Sequence, residues 1–320
     1  MLAETRSDRT AKSTRVFGDY LIMLAALCVL SVWYYGTDAV RTLAVCVVTA
    51  FACDFVASII INKQYYAADL SGICAGIIIA LMLPATAPVY VGIVASSFAI
   101  LVAKIPFGGG MRAPFVPSAA GFAFAAVCFK NEVFSYSGGR AFMKTMPLTS
   151  SLAAGNTVKL SASNLIDMLT GNILGPMGTT CIIALLGCFV FLFIRRRSSL
   201  LPSAGFVLSC LLISLVFPRS DGSVISCAVM ELCSGSLLFA AVFMLTNPAT
   251  MPVHTANKVV YGVFTGAVCM VMRRLAAFEE PVCFAVLIAN AFSPLLDMLT
   301  DRMRIIVSSH KKVKEAAVNG

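Results

Sequence analysis

Residues 234–274 read SGSLLFAAVFMLTNPATMPVHTANKVVYGVFTGAVCMVMRR. An apolar run opens at Ser234-Gly235, breaks at Thr246-Asn247-Pro248-Ala249-Thr250, and resumes until Arg273-Arg274. The same layout occurs earlier: Ser71-Gly72 opens a run that breaks at Pro84-Ala85-Thr86, and a second run ends at Lys104. The Ser-Gly and Pro-Ala-Thr elements are 11 residues apart in the first copy and 12 in the second. A Pro-led apolar segment follows each, from Pro114 and from Pro281. This is the pattern of an internal duplication.

Composition decides the solvent. The chain is 59% hydrophobic and 12% charged, with a mean hydropathy of +0.90. Soluble domains carry roughly 25% charged residues, so this sequence cannot cover a water-exposed surface. Its apolar runs are continuous rather than alternating, which predicts spanning helices and not a barrel. The net charge of +9 comes from Lys and Arg at segment ends. That is the habit of a membrane protein with a positive inner side, and no basic patch interleaved with aromatics supports nucleic-acid binding. Of the 12 cysteines, most lie within apolar runs and none forms a CxxC pair, so they read as small hydrophobes rather than metal ligands. The basic residues 1–15 lack the apolar core of a cleavable signal peptide.

Ten hydrophobic segments are expected, near 17–36, 39–61, 70–84, 87–104, 115–130, 177–194, 200–217, 230–246, 258–274 and 281–298. The domain plan is a basic cytoplasmic N-terminus (1–16), a first membrane repeat (17–130), an extracytoplasmic connection (131–172), a second repeat (173–300) and a basic cytoplasmic tail (301–320). With the N-terminus inside, 16 Lys and Arg fall on the inner side and 8 on the outer, which favours both termini in the cytoplasm. Arg273-Arg274 is the main dissent. Five segments separate the copies, an odd number, so the halves are expected to be inverted repeats. The fold class is therefore all-α and polytopic, with about ten transmembrane helices in two five-helix repeats. Pro-broken segments at matching places point to discontinuous helices around a binding site; plain short or tilted helices are the other reading.

Ionisable residues within spans are costly and often functional. Asp54 is the most deeply placed, as a relay for protons or cations or as a partner for Lys63. Asp69 opens the third segment, Asp297 closes the tenth, and Asp19 begins the first; Asp19 and Asp297 have basic neighbours and read as interfacial. Gly108-Gly109-Gly110 lacks the Walker pattern and by itself reads as a turn, although such a loop can bring backbone N–H groups to an anion. His254 and His310 have no carboxylate constellation around them in sequence.

Several stretches, in order, carry a family resemblance. They are Asp69-Leu70-Ser71-Gly72 with the following LMLP, Phe107-Gly108-Gly109-Gly110 through Pro117, and Leu169-Thr170-Gly171-Asn172 through Gly178. Phe243 through Pro252 and Phe284 through Asp297 complete the set. The chain resembles the RnfD component of the Rnf electron-transport complex and the NqrB component of the sodium-translocating NADH:quinone oxidoreductase. The resemblance implies a ten-helix subunit of a bacterial inner-membrane complex that couples electron transfer to Na⁺ or H⁺ movement alongside other membrane subunits. It implies flavin, as FMN bonded through phosphate to a Thr and as riboflavin in the membrane. It makes Asp69, Gly108, Gly109, Thr246, Asn247 and Thr250 candidate cofactor contacts, and Asp54 and Asp297 ion-pathway candidates. The chain departs from the attachment motif: in Lys144-Thr145-Met146-Pro147-Leu148-Thr149 the aligned position is Met146, which has no hydroxyl, and Thr145 is one residue early. The family also has Asn where this chain has Ala113 and Val116, and acids where it has Asn247 and near Thr179. FMN or riboflavin held without a covalent bond is the expectation that follows. A transporter or channel-like protein, or a structural subunit, without a redox cofactor is the alternative.

Overall fold

The computed structural model of the chain describes residues 6–60, 70–109, 111–136, 162–218, 223–275 and 280–318. Every regular element among them is helical. The helices are α1 (Arg6–Tyr35), α2 (Thr37–Ile60), α3 (Ser71–Met82), α4 (Val89–Phe98), α5 (Pro117–Cys128), α6 (Lys130–Val133) and α7 (Ala162–Thr170). They continue as α8 (Ile182–Arg195), α9 (Leu201–Val216), α10 (Val224–Cys233), α11 (Leu237–Phe243), α12 (Thr255–Leu275) and α13 (Val282–Val318). A π-helical turn, Ala99–Lys104, extends α4. The sequence is apolar over nearly all of these helices, and side chains such as Trp33, Ile60, Ile194 and Leu275 point outward with most of their surface exposed. Such a surface suits hydrocarbon, where a helix satisfies its backbone groups internally. Four helices are long and apolar enough to cross a membrane, and α10 with α11 forms a fifth candidate bent by 52°. The chain is a polytopic membrane protein.

Helices fall on the hydrophobic segments expected from sequence, with several differences: α1 begins at Arg6, within the stretch read as a basic terminus, and α6 and α7 lie in or at the edge of the stretch read as a polar connection. The eighth segment begins earlier, at Val224, and is not continuous: it bends between Cys233 and Leu237, where Gly235 takes a φ of +64°. A φ of that sign is strained for any side chain but glycine's, so the Ser-Gly pair is itself the break. The tenth helix does not stop near 298; it runs on through Asp301 to Val318. Its continuation carries the basic residues read as a tail, and Pro294 lies inside it.

Two glycine-lined contacts tie each half together. In the first, Gly76 of α3 sits against α2, where an added Cβ would lie 2.9 Å from both the Ala50 Cβ and the Cys46 carbonyl. In the second, Gly262 of α12 sits against α9, where an added Cβ would overlap the Pro202 carbonyl. Small residues at such contacts let backbones approach, which supplies dispersion energy that lipid cannot. The core gathers around both breaks: Ile79 to Leu83 from the first and Phe239 to Leu245 from the second are fully buried, with Phe122 of α5. The two halves close on each other through α1 against α8 and through α5 against α13.

Gly262→Leu is expected to destabilise the detergent-solubilised chain by about 1–3 kcal/mol or more, the usual cost of overpacking. Gly187→Ala serves as the control, because its Cβ would meet nothing within 4 Å. Thermal unfolding of both variants checks this, and equal midpoints would disprove the α9–α12 packing.

Candidate functional site

The first break is sealed by the other half of the chain. Leu83 ends α3 in extended conformation, so its own carbonyl and that of Leu81 lie open to a partner. Residues 177–178 supply it: the Met177 N–H donates to the Leu83 carbonyl at 3.3 Å and the Gly178 N–H to the Leu81 carbonyl at 2.8 Å. Ser31 of α1 in turn donates to the Met177 carbonyl at 3.0 Å. Thr42 of α2 donates to the Ala85 carbonyl at 2.9 Å, satisfying the break from its other side. Broken backbone in a membrane persists only where such partners exist.

The second break receives the mirror treatment. The Thr246 hydroxyl bonds to the Tyr20 hydroxyl of α1 at 2.7 Å and also donates to the Val242 carbonyl. The Asn247 side-chain oxygen accepts from the Ala249 N–H at 3.1 Å, and the Thr250 hydroxyl donates to the Asn247 carbonyl at 3.5 Å. Beyond the break, Asp297 of α13 accepts from the Val253 N–H at 2.9 Å and from the Asn257 amide at 2.8 Å. Asp297 therefore caps the head of α12, where a carboxylate is stabilised by the unpaired N–H groups and the helix dipole. His254 adds a bond to Asp301 at 2.9 Å. Nearby, the Tyr261 hydroxyl donates to the Asn290 oxygen at 2.6 Å, while the buried Asn290 amide nitrogen has no acceptor among the described residues.

At the far end of each copy stands a buried ion pair. Lys104, at the end of the π turn, is fully buried and places Nζ 2.5 Å from Oδ2 of Asp54, which is 5% exposed. Gly72 lies against them at the head of α3, and an added Cβ there would overlap the Asp54 carboxylate. In the second copy Arg273, 5% exposed, reaches Glu231 Oε2 at 2.9 Å. Its Nη1 also donates to the Glu231 carbonyl and the Ser234 hydroxyl, and Nη2 to the Ser234 carbonyl. Gly235 and Ser236 meet a second carboxylate there: the Ser236 N–H donates to Glu280 Oε2 at 3.0 Å, and an added Cβ on Gly235 would overlap Glu280. In both copies the cation that ends the second helix thus returns to the Ser-Gly that begins the first.

Among the sequence candidates, Thr246, Asn247, Thr250 and Asp297 are brought to the second break. Asp54 stands at the head of the first copy, where Lys104 pairs with it; Lys63, Asp69 and Thr145 lie outside the described residues. Gly108 and Gly109 have φ of +94° and +112° and donate their N–H groups to the Ile105 and Lys104 carbonyls. Asp19 is clamped by Arg195 at 2.9 Å and Arg196 at 3.2 Å. Sequence reading missed Lys104, Glu231, Arg273 and Glu280 as site residues. A signal existed, since Lys104 and Arg273 end matched runs and Glu231 interrupts an apolar one.

Comparison with known proteins adds a family. The model described as the NQR2, RnfD, RnfE family matches residues 4–305. A relative from Acetobacterium woodii, the D subunit of a Na(+)-translocating ferredoxin:NAD(+) oxidoreductase complex, is 25% identical over 92% of this chain and 91% of its own length. The D subunits of ion-translocating oxidoreductase complexes from Ectopseudomonas mendocina and Klebsiella pneumoniae are also 25% identical, the first over 84% of both chains. The second covers 88% of this chain and 91% of its own.

Replacing Arg273 with Gln leaves Glu231 buried without its guanidinium. The expected loss is about 3–5 kcal/mol of stability, the cost of breaking a buried pair. Arg273→Lys is expected to recover only part of it, because an ammonium cannot span the acceptors held by the fork. Chemical denaturation in mixed micelles reads both values; a Gln variant as stable as the wild type would show the pair to be dispensable.

Proposed function

The chain belongs to the NQR2, RnfD, RnfE family, and from that premise we propose that it is a membrane subunit of an Rnf-like complex that supports flavin-mediated electron transfer coupled to Na⁺ or H⁺ movement. The observation that carries this reading is a family match over nearly the whole chain, joined to two Pro-broken helix pairs that each close on a buried ion pair. Ionisable side chains are kept inside a membrane where an ion or proton has to pass. The complex named for the Acetobacterium woodii relative moves Na⁺ and works between ferredoxin and NAD⁺. The same ion and partners are candidates for this chain, together with the other membrane subunits of such a complex.

The finer topology belongs to the same proposal. Ten spans would form two inverted five-helix repeats, 17–130 and 173–300, with 131–172 outside and both ends, 1–16 and 301–320, in the cytoplasm of a bacterial inner membrane. Arg273 no longer counts against that orientation, because it is buried against Glu231 and is not a loop charge.

The residues present fit a flavin held without a covalent bond better than an attached FMN. Met146, aligned with the attachment position, offers a thioether and no hydroxyl. Around the second break the Thr246, Asn247 and Thr250 side chains are engaged within the chain, and the open donor is the Asn290 amide nitrogen. Asn290 and the neighbouring Tyr261 would hold a ring carbonyl or nitrogen, with Asp69, Gly108 and Gly109 as the other candidate contacts. When bound, a flavin would supply the electron-transfer chemistry, while the protein orients it and keeps water out. Because so many polar groups at the break are already engaged, transport without a redox cofactor is the second reading.

Acid denaturation of the purified chain separates these readings by absorbance. Flavin released into solution supports the proposal, flavin retained on the polypeptide refutes non-covalent binding, and a colourless folded chain favours the second reading. Asp54→Asn in the intact complex is expected to lower coupled ion transport about tenfold or more, as the loss of an intramembrane charge on an ion path predicts. Unchanged transport would remove Asp54 from the path.

A further inference from the structure

The end of α8 meets the start of α1 in a cluster of charge. Arg195, Arg196 and Arg197 follow one another where the helix stops. Arg195 Nη2 donates to one oxygen of Asp19 at 2.9 Å, and Arg196 Nε donates to the other at 3.2 Å. A guanidinium carries five N–H donors, so both forks keep donors for a further acceptor. The Arg195 side chain is 58% exposed. Arg197 is exposed too, and its guanidinium lies over the Phe193 ring, 4.9 Å from the centroid. Arg15, also exposed, stands one turn before Asp19 on the same face of α1. Among the described residues, four arginines gather at this end of the α1–α8 pair around one carboxylate, Asp19, which leaves three positive charges.

The surface beside the cluster is apolar. Asp19 meets Arg195 and, deeper in, the Cys188 thiol donates to the Met23 carbonyl at 4.0 Å, so the two helices run antiparallel. On α1, Arg15, Asp19, Ile22, Val29 and Trp33 follow one another at helical spacing, and the three apolar members are exposed. On α8, Leu186, Val190 and Phe193 do the same, all exposed, and Arg197 lies over the last of them. Each stripe is apolar along the span and carries arginine at the same end.

An occupant of this surface has to be apolar along the stripes and anionic at the arginines. A phosphodiester with acyl chains is both. Guanidinium forks match phosphate oxygens in a bidentate manner. Two of the forks are already held by Asp19, so little freedom is lost when a phosphate arrives. A charge that merely orients the chain in the membrane needs no such fixation. An acidic soluble protein would meet the arginines and leave the stripes unused.

We propose that the α1–α8 junction at Asp19 is a seat for an anionic phospholipid, with its phosphate against Arg15, Arg195 and Arg197 and its acyl chains along the stripes that contain Ile22 and Phe193. Basic sites between transmembrane helices recognise lipid head groups in this way. The lipid bridges the two halves of the chain at the place where Asp19 already joins them. The proposal needs neither the flavin nor the ion path; in the topology proposed above the seat faces the inner leaflet.

The test titrates the full chain in detergent with dioleoyl phosphatidylglycerol, with dioleoyl phosphatidylcholine and with inorganic phosphate. Thermal unfolding is followed in each arm, and native mass spectrometry counts the lipids retained. Phosphatidylglycerol is expected to raise the midpoint saturably, and the other two are not. The double variant Arg15→Gln, Arg197→Gln leaves both Asp19 pairs in place. It should raise the half-saturating phosphatidylglycerol about tenfold or more, since each basic residue near anionic head groups contributes about fivefold. Its midpoint in phosphatidylcholine should match that of wild type, which a merely structural role for these arginines would not allow. Arg41→Gln, beyond the far end of α1, should titrate like wild type. If the double variant does not fold, Arg197→Gln alone decides, with an expected shift of about fivefold. Equal responses to the two lipids would reduce the seat to ordinary bilayer contact, and an equal response to inorganic phosphate would make it an anion site without a lipid. A chain indifferent to all three would leave an acidic protein as the occupant. Each of these results, or a charge-deleted variant that titrates like wild type, would overturn the proposal.

Discussion

A short helix that stops inside a membrane leaves charged or polar ends where water cannot reach, and this chain answers that problem with one repeated contact. The cation at the end of each second helix, Lys104 or Arg273, returns to the head of the first, where Ser71-Gly72 or Ser234-Gly235 stands. Asp54 and Glu231 are both buried, and a buried carboxylate costs several kcal/mol unless it is compensated. The glycines follow from the same constraint, because a side chain at Gly72 or Gly235 would occupy the space of the carboxylate. So does the bend between α10 and α11, which lets Gly235 and Ser236 face Glu280.

The breaks depend on these anchors for their position and on the opposite half of the chain for their hydrogen bonds. Residues 177–178, which lead into α8, satisfy the carbonyls of the first break, and Tyr20 of α1 reaches Thr246 in the second. Neither copy can therefore be complete alone. In this arrangement the irregular backbone at both breaks is buried and hydrogen-bonded from elsewhere in the chain.

Much of this was legible in the sequence. Composition required a membrane, and the spacing of Ser-Gly and Pro-Ala-Thr located both broken pairs. Most apolar runs coincide with helices because a span in hydrocarbon is fixed by its side chains more than by its neighbours, whereas α1 and α13 run on into the polar stretches at 6–16 and 301–318. The pairings were not legible. Lys104 and Arg273 read as loop charges, since a terminal Lys or Arg in sequence looks the same whether it snorkels to the interface or turns inward to a carboxylate. Lys104 lies fifty residues beyond Asp54 in sequence, and only the packing of α2 on α3 and α4 brings them together. The bend at Gly235 was hidden for a related reason: the carboxylate its Ser-Gly meets, Glu280, comes from beyond α12.

The same contacts bear on what the chain keeps and what it has given up. A covalent flavin needs one hydroxyl at one position, and the residue aligned there is Met146. An ion pair within the membrane is harder to lose, because deleting either partner strands the other. The polar side chains at the second break, turned inward to Val242, Asn247 and Tyr20, now serve to hold the break shut. The two ends also differ in their cation: the fork of Arg273 reaches Glu231 and Ser234, and the ammonium of Lys104 reaches Asp54.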